Sequence, residues 1–87
     1  MGNLMLRFTR VTIKCVTDEY IDYTDAHGSN YFAFICKETL SKKDYEIYMR
    51  RFRDAIIANS KVNLVIERKA GPYNKKQLMD YVIMAEF

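Results

Sequence analysis

The chain has 87 residues, with 14 Lys+Arg against 11 Asp+Glu, a formal net charge of +3, 49% hydrophobic and 14% aromatic residues. That length suits one domain around one core, read as a single unit over residues 1–87. The 29% charged content with only 3 Gly and 1 Pro excludes a disordered, collagenous or linker-like chain, and no apolar run reaches the roughly 18 residues of a membrane span.

From Leu4 to Val16 the sequence alternates like a strand, but the alternation changes phase. Leu4, Leu6 and Phe8 share one parity and Val11, Ile13 and Cys15 the other, so both sets face one side only if a bulge sits near Thr9. Arg7, Arg10, Thr12 and Lys14 then project from the opposite face. Residues 17–30 read as a hairpin connection or as an extension of the flanking strands, with His27 in the turn-forming run Asp25-Ala26-His27-Gly28-Ser29-Asn30. Tyr31 to Lys37, rich in aromatic and β-branched residues, is a second strand.

Helix evidence begins at Ser41. Ser41 with Asp44 three residues on fits a capping box, and Leu40 and Tyr45 fit the hydrophobic staple around it. Tyr45, Tyr48, Met49, Phe52, Ala55 and Ile56 recur at helical spacing as one apolar stripe, while Glu46/Arg50 and Arg50/Asp54 are spaced four apart for ion pairing. Asn59-Ser60 closes the helix. Val62 to Arg68 alternates as a third strand, broken by Ala70-Gly71-Pro72. Tyr73 to Phe87 fits a helix or a doubly apolar strand; the β-rich run Tyr81-Val82-Ile83 favours a strand closing a hairpin with the third.

The resulting expectation is an α+β domain in ββαββ order: a single antiparallel sheet with one amphipathic helix on one face. Its other face, including Ile35 and Val65, would stay uncovered, so self-association as a dimer is expected. The absence of a basic–apolar–small signal pattern, and Leu6 where a Met1-Gly2 myristoylation site needs Ser or Thr, point to the cytoplasm.

Cys15, Cys36 and His27 are too few and too scattered for a zinc site. A Cys15–Cys36 disulfide between neighbouring strands is open, but buried free thiols in a reducing compartment are favoured. No metal or cofactor is expected. Glu67-Arg68-Lys69 matches half of a metal-dependent nuclease motif, which is common by chance in a chain short for that fold. No other catalytic signature appears, so the chain is read as a non-enzyme.

Charge is segregated. Residues 1–16 carry three bases and no acid, residues 17–30 four acids and no base, and residues 61–76 five bases and one acid. Clustered Lys and Arg gain affinity for nucleic acid by releasing condensed counterions. The leading expectation is therefore a regulatory RNA-binding protein. Its phosphate contacts would be Arg7, Arg10 and Lys14, then Arg50, Arg51 and Arg53, then Arg68, Lys69, Lys75 and Lys76, with Tyr73 stacking on an unpaired base. The alternative is a protein-directed inhibitor that docks on a host protein through a sheet edge or through Asp18, Glu19, Tyr20, Asp22, Tyr23 and Asp25.

In size, charge and sheet-rich composition the chain resembles small basic toxins of the RelE type, which implies metal-free RNA cleavage by Arg, Lys and Tyr groups. The two N-terminal helices usual in that family are missing, since this chain opens with a strand. Its Tyr and Lys richness and lone compact unit also resemble the small accessory proteins of tailed phages. That resemblance implies RNA binding, or inhibition of a host toxin or defence protein, in the host cytoplasm.

Overall fold

The computed structural model describes residues 4–35, 40–71 and 75–87. These form β1 (Leu4–Val16), β2 (Tyr20–Thr24), β3 (Asn30–Ile35), α1 (Lys42–Ala58), β4 (Lys61–Ala70) and β5 (Leu78–Glu86). Cys36, Lys37 and Tyr73 lie outside the described residues, and with them the Cys15–Cys36 pairing and the proposed stacking ring.

The open ββαββ sheet is overturned. The strands close into a barrel in the order β1-β2-β3-β5-β4, with β4 returning to β1. Two physical causes account for the difference. The 17–30 segment is more than a connection between two strands, because it contains a strand of its own, β2, whose Ile21 and Tyr23 alternate inward and are 0% and 1% exposed. In addition, β1 is long and bends, so that Leu4–Thr12 pairs with β4 and Thr12–Val16 with β2. A short parallel pairing of β3 with β5, Phe34 opposite Tyr81 and Ile35 opposite Val82, completes the closure. Of the two residues expected on an uncovered face, Ile35 is buried in the barrel interior, whereas Val65 is half-buried on the outer side beside Arg7 and Met84. The closing β3–β5 pairing is limited to the Phe34–Tyr81 and Ile35–Val82 pairs.

The bend comes from the anticipated bulge. Register shifts between Phe8 and Val11, where Arg10 adopts a left-handed φ of 55° and its backbone N–H donates to Asn63 Oδ1 at 2.9 Å. Left-handed backbone is costly for a residue with a Cβ. Arg10→Gly should therefore raise the stability of the protein by up to about 1 kcal/mol, read from the midpoint of urea unfolding. A second register shift, between Ile13 and Cys15, was not anticipated. It turns Cys15 outward, so this thiol is free and exposed instead of buried.

Inside the barrel Val11, Ile13, Ile21, Ala33, Val62, Leu64, Ile66 and Val82 are buried together with Tyr45, Met49, Phe52 and Ala55 of α1. The helix adds its buried face to the barrel core instead of covering one face of an open sheet. Its Tyr45 hydroxyl donates to the Asp18 carbonyl in the β1–β2 connection, and Phe52 meets Phe87, just past β5, with ring centroids 5.0 Å apart. The expected ends hold: Ser41 Oγ accepts the Asp44 N–H at 3.1 Å, and Asn59 closes the helix with φ 52°. Arg50 forms no ion pair with Glu46 or Asp54 despite the spacing. The final segment is the hairpin strand the β-rich run suggested, antiparallel to β4.

Candidate nucleic-acid interface

Alternation on two neighbouring strands puts a row of rings outside the barrel. In β2, Ile21 and Tyr23 point in, leaving Tyr20, Asp22 and Thr24 outside; in β3, Ala33 and Ile35 point in, leaving Asn30, Phe32 and Phe34 outside. The antiparallel register sets Tyr20 beside Phe34, Asp22 beside Phe32 and Thr24 beside Asn30. Tyr20 and Phe32 meet edge-on at 6.1 Å and Phe32 and Phe34 at 5.6 Å, while Phe34 and Tyr81 of β5 lie tilted at 5.6 Å. Phe32 is the open member, 45% exposed, while Tyr20 and Phe34 are half-buried and Tyr81 is buried.

Cations flank this row. Lys69 Nζ sits 4.7 Å from the Tyr81 ring centroid and 3.2 Å from Glu67 Oε1. On the other side Lys14, the extra residue of the second β1 bulge, joins Asp22, Asn30, Phe32 and the neighbouring Tyr23 and Tyr31 around an open cleft of about 420 Å³. Lys75 and Lys76 immediately precede β5, the strand beside β3, and both are exposed.

The remaining predicted bases do not converge on one surface. Arg7 pairs with Val65 on the β1–β4 side of the barrel, and Arg10 occupies the bulge. Arg50 and Arg53 line a groove with Asp18, Glu46 and Asp54, where carboxylates surround them, and Arg51 lies over the Phe87 ring at 5.6 Å. Arg68 is engaged within the barrel wall: Nε and Nη2 donate to Asp80 at 2.8 and 3.3 Å, and this bond holds its pKa above the ordinary guanidinium value. Asp80 is only 13% exposed, so Arg68→Ala would leave a largely buried carboxylate without its partner. Arg68→Ala should lower stability by about 1–2 kcal/mol, whereas Lys75→Ala should leave the thermal midpoint unchanged.

The acidic segment divides in the same way. Asp18 and Glu19 are exposed in a turn fixed by Thr17, whose Oγ1 accepts the Glu19 and Tyr20 N–H groups at 3.2 and 3.0 Å. Tyr23 belongs to the core, stacked on Tyr31 at 5.5 Å, so its ring is not available to a partner. Its hydroxyl finds no hydrogen-bond partner among the described residues, and burial first, then the Asp80 and Tyr31 charges, push its pKa up. Asp25 organises the β2–β3 turn by accepting the His27 and Ser29 N–H groups, both at 2.9 Å, and the Tyr31 hydroxyl at 3.1 Å. Desolvation would raise the Asp25 pKa, but these bonds outweigh it and hold the carboxyl below its usual range. His27 is an exposed turn residue.

Phe32 and Phe34 did not emerge from the sequence as site residues. The signal was present: between inward Tyr31, Ala33 and Ile35, the intervening positions of an otherwise one-sided strand are both phenylalanine. Among the described residues, no group of three or more His, Cys, Asp or Glu side chains is placed to hold a metal ion, and no helix is long and apolar enough to cross a membrane. Comparison with known proteins finds no matching family model, curated protein or solved structure.

Proposed function

We propose that the protein is a non-catalytic RNA-binding protein that takes single-stranded segments across the outer face of β2 and β3. The exposed Phe32 ring, set between Tyr20 and Phe34 and flanked by Lys14 and Lys69, carries this reading. Large apolar rings on a solvated sheet face do nothing for the barrel core, yet every unpaired base has a π-face that can stack on them. The connectivity supports the same reading. A five-stranded barrel ordered 1-2-3-5-4, with one helix between β3 and β4, has the strand order of the oligonucleotide- and oligosaccharide-binding barrel, whose ligands cross strands 2 and 3. Fold alone does not fix function, so the rings and cations carry the weight.

Gel shift with single-stranded and duplex RNA across a salt series tests the proposal. Single strands should bind and duplex should not, because duplex bases offer no open face for stacking. If Lys14, Lys69 and Lys75 each neutralise a phosphate, log K should fall with log salt at a slope of about −2. Equal binding of duplex and single strand, or no binding at low salt, would overturn it.

A further inference from the structure

We infer that the cleft beside Phe32 prefers guanine, held by its Watson–Crick edge against the Asp22 carboxylate. This rests on the single-strand reading above and adds a base preference to it. The cleft, about 420 Å³, has the chemistry of a nucleotide subsite: the Phe32 ring as a stacking wall, the Asp22 carboxylate and Asn30 amide for a base edge, and the Lys14 ammonium for a phosphate.

Asp22 decides which base. It is the cross-strand neighbour of Phe32, half-buried, and forms no ion pair with Lys14 although both line the cleft. An ionised carboxylate accepts hydrogen bonds and cannot donate, and its two oxygens present a fork. Guanine matches that fork, since N1–H and the N2 amine are adjacent donors on one edge. Adenine and cytosine each offer a single exocyclic amine next to a ring nitrogen acceptor. Uracil offers N3–H between two carbonyls, which repel the carboxylate. Asn30 can donate to guanine O6, an acceptor that Asp22 cannot serve. Bidentate base recognition discriminates by roughly 5- to 150-fold, so guanine should stand out by about tenfold or more in this open cleft.

Fluorescence anisotropy with labelled single-stranded hexanucleotides tests this: an all-uridine host and hosts with one central guanine, inosine, adenine or cytosine. The guanine oligonucleotide should bind about tenfold more tightly than the others, and inosine, which lacks the N2 amine, should lose most of the gain. Asp22→Asn should abolish the guanine preference, bringing the affinity of the guanine oligonucleotide to that of the uridine host. Equal affinity for all five oligonucleotides, or Asp22→Asn weakening all of them alike, would overturn the guanine preference and leave the stacking surface standing. Failure of every oligonucleotide to bind would overturn both. Circular dichroism melting of Asp22→Asn, expected to match the parent protein, keeps a folding defect from imitating the first result.

Discussion

Replacing Phe32 with alanine should weaken binding of single-stranded RNA by roughly 5- to 150-fold, the loss of about 1–3 kcal/mol found when one stacking ring is truncated. The protein itself should melt as before, because Phe32 is 45% exposed and stands outside the barrel core. Tyr20→Ala should cost less binding, since its ring is half-buried and meets Phe32 only at the edge. Ile57→Ala serves as the comparison: Ile57 is more exposed still, at 84%, but belongs to α1 and is not part of the ring row on β2 and β3, so RNA affinity should not change. If Phe32→Ala and Ile57→Ala bind RNA equally well, the sheet face is not where RNA stacks. Anisotropy titration and thermal melting on the same samples separate lost binding from lost structure.

The second large effect concerns the helix. Phe52 is fully buried and meets both Tyr48 and Phe87, with centroids 6.2 and 5.0 Å apart. Phe52→Ala should lower unfolding free energy by about 3–5 kcal/mol, combining the lost burial with the cavity left behind. For a domain of this size the total stability is on the order of 4–13 kcal/mol, so the variant should be partly unfolded or close to it. Urea unfolding followed by circular dichroism should show the midpoint falling with little change in slope. A loss below about 1 kcal/mol would mean that α1 does not share the barrel core. Because the proposed stacking surface sits on β2 and β3, the folded fraction of Phe52→Ala should still bind RNA once affinity is corrected for the unfolded population.

These expectations concern different parts of the molecule, and they were legible to different degrees. The helix could be read from Ser41 to Asn59 because its cap, staple and apolar stripe are local: each depends on residues three or four apart. The β1 bulge was equally local, since a change of parity between Phe8 and Val11 has no other way to keep both apolar sets on one side. The β4–β5 hairpin followed from the break at Gly71 and the β-rich run after it.

The amino-acid sequence by itself determined which segments alternate, which spiral and where charges of each sign lie along the chain. It did not determine that the sheet closes. Closure depends on β1 bending far enough to pair with both β2 and β4, and on Phe34 and Ile35 meeting Tyr81 and Val82, strands with a whole helix between them. Those pairings set the candidate site. They buried Tyr23, tied Arg68 to Asp80, dispersed the Arg residues around the barrel and left Phe32 as an exposed ring beside Asp22 and Lys14. The net charge of +3 was visible at once, but not which cations lie beside Phe32. A side chain's neighbours across a sheet are set by register between distant strands, and alternation alone leaves that register open.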